Sequence, residues 1–104
     1  MIRRYSMEDI PKIVALEEET LGTTLGEKML LQELSNPMSY YYVFEEDNNI
    51  IGYISLSFDG YIGEILNFAV DKSYQNKGIG KKLISYAMDD LYGKHAESFI
   101  LEVR

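Results

Sequence analysis

The feature that most constrains the fold is a strand, a glycine loop, a helix and a strand that follow one another in the second half of the chain. Residues 61–70 form a long apolar run, and residues 79–91 carry an apolar stripe at helical spacing. Residues 98–103 alternate again, as in a strand. A strand–helix–strand unit in one sheet needs a crossover, which is right-handed in nearly all proteins. The sequence therefore predicts that the last two strands are parallel.

The loop inside this unit, residues 75–80, has the sequence Gln-Asn-Lys-Gly-Ile-Gly. Gly78 and Gly80 lack a Cβ, so the backbone there can turn sharply and approach a ligand. The first N–H groups of the following helix have no partners inside the helix, and the helix dipole is positive at that end. Together they favour an anion. Without its context, however, such a glycine pair is more often a simple tight turn at a helix start.

Lysines are concentrated around this loop, although the chain has a formal charge of −7. Lys72, Lys77, Lys81 and Lys82 account for four of only ten Lys and Arg residues. Without the loop, these lysines would be interpreted as the solvated face of a helix. Because they lie beside the loop, they favour the binding of a phosphate there. A local cationic patch on an acidic protein favours a local anion over nucleic acid in general, so we expect no nucleic-acid partner.

Composition excludes several classes of site. A chain of 104 residues predicts one domain, residues 1–104. The absence of cysteine excludes disulfides, thiolate catalysis and cysteine-bound zinc, and a single histidine, His95, gives poor support to a metal cluster or a Ser-His-Asp triad. We therefore expect no metal. No apolar run approaches 18 residues, so we expect a cytoplasmic protein that does not enter a membrane.

The first half of the chain predicts the remaining elements. Residues 1–5 indicate a strand, and Ser6 with Asp9 resembles a capping box that starts a helix at Met7. Glu17, Glu18 and Glu19 are expected on the solvated face of that helix rather than at a metal. A short second helix, residues 27–34, follows a glycine-containing loop, residues 21–26, which is a candidate for part of an acceptor site.

Three strands then form a meander. The period changes to two from residue 38, and turn signals at residues 47–49 and 59–60 separate the strands. Gly63, inside the third strand, could mark a bulge. The order is β-α-α-β-β-β-α-β, which predicts an α/β fold with a mixed sheet.

These elements resemble a known family. Asn67-Phe68-Ala69-Val70-Asp71, the loop from Gln75 to Gly80, an amphipathic helix and the final Leu101-Glu102-Val103-Arg104 are similar to the core of the GNAT-type N-acetyltransferases. Within that superfamily the chain looks most like the bacterial enzymes that acetylate the N-terminal alanine of a ribosomal protein. The resemblance implies that acetyl-coenzyme A is the cosubstrate and that the acceptor is a primary amine, such as a protein N-terminus.

The resemblance also implies roles for individual residues. Backbone groups of β-strand residues would hold the pantetheine arm and the loop would hold the pyrophosphate; the implied set is Phe68, Ala69, Val70, Gln75, Asn76, Lys77, Gly78, Ile79, Gly80 and Lys81. A backbone N–H near Val70 would stabilise the oxyanion. Glu102 matches the family's glutamate base, although it could be an ordinary polar residue of a sheet face; Glu64 is the second candidate base.

The family's pattern continues beyond the strand that ends at Arg104 with a further helix and two strands. We therefore expect a fold truncated after this strand, whose open apolar edge invites a homodimer. The chain would be a fragment of an active enzyme, a form that completes itself with a second copy, or a binding remnant. The alternative from a different class is a non-catalytic domain that binds coenzyme A or a nucleotide and needs a partner chain.

Overall fold

A five-stranded sheet with helices on both faces forms the protein. The computed structural model describes residues 1–22, 24 and 26–101. The strands are β1 (Ile2–Arg4), β2 (Ser39–Glu46), β3 (Asn49–Phe58), β4 (Ile62–Val70) and β5 (Ser98–Leu101), and the helices are α1 (Ile10–Leu21), α2 (Gly26–Glu33) and α3 (Ile79–Tyr92). The predicted element order and the mixed α/β class are confirmed.

The strands lie in the sheet in their order along the chain. The first four are antiparallel to their neighbours, whereas β5 is parallel to β4, with Ile62 opposite Ser98 and Ile65 opposite Leu101. The parallel pair predicted from the strand–helix–strand unit is therefore confirmed. Helix α3 packs its apolar stripe on one face of the sheet, and α1 and α2 cover the other, so that two apolar clusters sandwich the sheet.

The first helix begins differently from the prediction. Residues Met7–Asp9 form a turn of 3₁₀ helix, and the α-helix starts only at Ile10. The reason is Pro11, which has no N–H to donate to the carbonyl of Met7; the N–H of Ile10 bonds that carbonyl instead. The capping residue itself was correctly predicted, because the N–H of Ser6 donates to Asp9 Oδ2 at 2.8 Å.

Glu17 is buried, which corrects the prediction of a solvated glutamate face; Glu18 and Glu19 are exposed as expected. Only 2% of Glu17 is accessible, and the phenol of Tyr53 on β3 donates to its Oε2 at 2.6 Å. The hydroxyl of Thr24 lies 2.5 Å from Oε1. Burial, and then the hydrogen bond to this carboxylate, raise the pKa of Tyr53. Glu17 therefore ties the end of α1 to the middle of the sheet.

The bulge in β4 lies at Leu66 and not at Gly63, so that prediction was wrong. Ser55 pairs with Asn67 and Leu56 pairs with Ile65, which leaves Leu66 as the extra residue of β4. Gly63 serves another purpose: a Cβ there would lie 2.6 Å from the ring of Phe99 on β5. The glycine admits that ring between β4 and α3.

Candidate active site

Within the described residues, the edge of β4 that faces away from β3 is covered along only part of its length. Pairing with β5 is described as far as Ile65 and Leu101, and up to that last described residue no strand lies beside residues 66–70 on that side. Leu66, the bulged residue, follows directly on Ile65. A bulge bends its strand and increases the local twist, which favours a gap at this point.

The backbone of β4 presents polar groups to this open edge. The N–H of Asp71 donates to the carbonyl of Ile51 on β3 at 2.8 Å, and Ala69 lies opposite Tyr53. Because backbone groups of successive strand residues point to opposite sides, those of Phe68 and Val70 point away from β3. The carbonyl of Val70 does so, since it accepts Gln75 Nε2 at 3.1 Å. Phe68 and Val70 therefore offer the open hydrogen-bonding groups, while Ala69 bonds toward β3.

The glycine loop leads from this edge to the N-terminus of α3. Asn76 and Gly78 have positive φ values of 65° and 79°, and Gly78 is the N-cap of the helix. The first helical hydrogen bond of α3 runs from the N–H of Lys82 to the carbonyl of Gly78 at 3.0 Å. Within the described residues no hydrogen bond satisfies the N–H groups of residues 76–81. They form a row of donors at the positive end of a helix.

A pocket of about 380 Å³ joins the open edge to this row of donors. Its walls come from the end of α1, the end of β4, the loop and the start of α3; the lining residues are Thr20, Leu21, Phe68, Ala69, Val70, Tyr74, Gln75, Asn76, Gly78, Ile79 and Gly80. The structure therefore brings most of the predicted cofactor residues into one groove. Lys77 and Lys81 of the predicted set do not line it.

The pocket also contains residues that the sequence did not indicate. Thr20 and Leu21, at the end of α1, and Tyr74, just before the loop, line it. Leu21 belonged to the glycine-containing loop proposed for the acceptor site, which was the only signal for this wall. Thr23 and Leu25 of that loop lie outside the described residues.

The lysines near the loop are exposed to solvent or partly so. Lys77, Lys81 and Lys82 are exposed, and Lys77 Nζ lies 5.4 Å from the centre of the Tyr74 ring. Among the described residues none of them forms an ion pair. They supply positive charge beside the unpaired N–H groups.

Comparison with known proteins identifies the family. Residues 6–104 match the model of the Acetyltransferase (GNAT) family. The chain belongs to this family. An uncharacterised N-acetyltransferase of Methanocaldococcus jannaschii is 31% identical over 106 residues, which cover 100% of this chain and 67% of the relative. A Bacillus subtilis protein with the provisional name [ribosomal protein bS18]-alanine N-acetyltransferase is 27% identical over 104 residues, 99% of this chain and 69% of its own length.

Solved structures agree with the family assignment. The crystal structure of the ribosomal-protein-S18-alanine N-acetyltransferase from Escherichia coli superposes with a TM-score of 0.89 at 20% identity, over 100% of this chain and 66% of that one. At this identity the likeness shows the fold. The chain spans about two thirds of the length of the relatives it matches.

Of the two candidate bases of this GNAT chain, only one lies within the described residues. Glu102 is outside the described residues, so its predicted role stays a prediction. Glu64 lies on β4 between Ser57 of β3 and Ile100 of β5, half-buried, and does not line the pocket. Its position is before the bulge, at the end of the open edge that is remote from the glycine loop.

Two kinds of feature are absent from the described residues. No group of three or more histidine, aspartate or glutamate side chains is arranged to hold a metal ion there. Within the same ranges, no helix combines the length and the apolar character that a bilayer crossing requires.

Proposed function

We propose that this GNAT chain carries the binding site for acetyl-coenzyme A and that the protein moves the acetyl group to a primary amine. The observation that supports this most directly is the continuity of two hydrogen-bonding surfaces. The open edge of β4, at Phe68 and Val70, runs into the unpaired N–H groups of residues 76–81. An extended amide chain that ends in a diphosphate complements both surfaces.

In this proposal the pantetheine arm lies along β4 as an added strand and the pyrophosphate lies at the start of α3. The side chain of Gln75 gives up its bond to the carbonyl of Val70, which then accepts an N–H of the arm. Ile79 and Gly80 donate backbone N–H groups to phosphate oxygens, and Lys77 and Lys81 add charge from the rim.

Transfer takes place by direct attack. The amine nitrogen forms a bond to the thioester carbonyl carbon, the negative oxygen is stabilised by a backbone N–H of the open edge of β4, and the carbon–sulfur bond then breaks. A base removes the proton that the attacking nitrogen loses, and the leaving thiolate takes up a proton to give coenzyme A. Glu102 is the proposed base and Glu64 is the alternative.

The proposed acceptor is the α-amine of a protein N-terminus, because the Bacillus subtilis relative is named for an alanine of a ribosomal protein. A cytoplasmic location fits this acceptor.

A homodimer through the outer edge of β5 is a further proposal, supported by the exposure of 51% of Ile100 and 62% of Leu101. Sedimentation velocity tests it: a single monomeric species at all concentrations would contradict it.

The experiment that tests the function combines the protein, acetyl-coenzyme A and a peptide with an N-terminal alanine, and measures free thiol. We expect thiol release that depends on the peptide. Glu102→Gln should abolish release while coenzyme binding, measured by calorimetry, is unchanged; Glu64→Gln is the matched test of the second base. Coenzyme binding without any release would support the alternative, a non-catalytic binding domain that needs a partner chain. A folded sample that binds no coenzyme A would contradict both.

A further inference from the structure

A second pocket, of about 180 Å³, lies on the face of the sheet that α1 and α2 cover. It is lined by Glu33, Asn36, Met38, Ser39, Tyr41, Leu56, Ser57 and Leu66. Leu66 is the bulged residue of β4 and follows Ile65, the last residue of β4 whose pairing with β5 is described. The pocket therefore adjoins the open edge at the end remote from the glycine loop.

The proposed function, on which this inference rests, fixes the direction of the coenzyme along that edge. With the diphosphate beyond Val70, the arm runs back past Phe68 toward Leu66. The thioester end then points toward the second pocket. An acceptor that reaches the thioester from the α1–α2 side passes over this pocket.

Glu33 is the charged residue among those that line the pocket. It is half-buried at the C-terminal end of α2, where the helix dipole is negative. Asn36 Nδ2 donates to its Oε2 at 3.4 Å, and among the described residues no cation pairs with it. Glu64 pairs with Ser57, a residue that lines the pocket, and so lies on the same face of the sheet. The pocket is therefore a region of negative potential.

A nearby arginine, Arg4, acts electrostatically on Tyr5 as Glu33 does, but it packs on the other face of the sheet. Arg4 Nη2 donates to the carbonyl of Ser39 at 3.3 Å, but its guanidinium lies 4.3 Å from the centre of the Tyr40 ring. Tyr40 packs against the cluster on the α3 side of the sheet. The charge of Arg4 is thus held on the opposite face from Glu33.

A carboxylate beside the attacking nitrogen would stabilise its protonated form, which cannot attack. A carboxylate that lies farther from the attacking nitrogen can serve recognition instead. We propose that Glu33 binds a second, non-reacting cationic group of the acceptor, which makes the protein selective for dibasic acceptors. The cation is the basic side chain next to a peptide N-terminus or the second ammonium of a small diamine; Met38 and Leu66 pack against its methylene groups.

Matched acceptors test this selectivity. The peptide amides Ala-Lys and Ala-norleucine differ by one charge, as do 1,4-diaminobutane and butylamine, so the two pairs distinguish a peptide from a small amine. The wild type should acetylate the dibasic member of at least one pair about ten-fold faster at low concentration, as expected for one hydrogen bond between charged groups. Glu33→Gln should remove this preference and leave the rate with the uncharged partner unchanged.

A control and a binding readout keep the test independent of turnover. Glu46→Gln, an exposed carboxylate at the far end of β2, changes the net charge equally and should leave the preference intact. In protein saturated with coenzyme A, Ala-Lys amide should shift the NMR amide signals of Glu33, Ser57 and Leu66, and Glu33→Gln should weaken that binding. Equal preference in Glu33→Gln, or shifts confined to other regions, would overturn the proposal even if coenzyme A binds normally. Failure to bind coenzyme A would count against the proposed function instead.

Discussion

Gly80→Ala separates the stability of the fold from the binding of the coenzyme. Gly80 is the second residue of α3, and its φ is not in the left-handed region. A Cβ at this position would lie 3.5 Å from the ring of Phe68 and 4.0 Å from Val70 Cγ2, which are ordinary contacts. The substitution therefore fits the free protein without strain. The new methyl group, however, occupies the groove between the helix start and the open edge of β4.

The two expected effects have opposite signs. Alanine is favoured over glycine in a helix by up to about 1 kcal/mol, and less at the first turn, so the free energy of unfolding should stay equal or rise slightly. The same methyl group keeps a phosphate oxygen from the N–H of residue 80. Loss of one hydrogen bond to a charged group costs about 1.5–3 kcal/mol, which corresponds to roughly 10–100-fold weaker binding.

Urea unfolding and titration calorimetry with coenzyme A measure the two quantities on the same sample. Ser85→Ala is the matched control, because Ser85 is an exposed residue of α3 away from the pocket, and the change also favours helix. The control should bind coenzyme A as the wild type does. If folded Gly80→Ala protein also binds with wild-type affinity, the diphosphate does not lie at the start of α3.

Three further predictions test the charge and the buried contacts. Lys77→Gln should weaken coenzyme A binding by about three-fold and reduce its dependence on salt, because the lysine is exposed; unchanged affinity at low salt would contradict this. Tyr53→Phe removes one of the two hydroxyl donors to buried Glu17 and should lower the unfolding free energy by about 1–3 kcal/mol at an unchanged urea m-value. Burial alone would raise the pKa of Asp9, but hydrogen bonds, led by that of Arg3, hold it below its usual value. Asp9 therefore stabilises the fold above about pH 4, and this stabilisation is lost as the pH falls through the lowered pKa. Asp9→Asn should cost about 2 kcal/mol at pH 7 and progressively less under acid conditions, as measured by urea unfolding at several pH values.

The loop and its helix were predictable because their signals are local. A glycine at the N-cap of α3 takes a positive φ of 79°, which few other residues adopt without cost, and the apolar stripe after it has helical spacing. The parallel pairing of β5 followed from the same segment, since a crossover helix leaves few topologies. These features require no knowledge of distant residues.

Other parts of the site depend on contacts across the fold. The sequence pattern predicts Glu17 to be one of three surface glutamates. Only the position of Tyr53 on β3 explains its burial. From the sequence, a glycine inside a strand such as Gly63 suggests a bulge. Nothing in the sequence indicates that the Phe99 ring lies beside it. The true bulge at Leu66 is set by the register of β3 and β4 and carries no glycine to reveal it.

The central claim is that coenzyme A lies along the open edge of β4 with its diphosphate at the start of α3. An NMR titration of uniformly ¹⁵N-labelled protein with coenzyme A tests it most directly. The account predicts large shifts of the amide signals of Phe68, Val70 and residues 76–81, with the signals of β1 and of the turn between β2 and β3 unchanged. Saturation with coenzyme A that leaves the amides of residues 76–81 unshifted, or that moves mainly signals elsewhere, would contradict it.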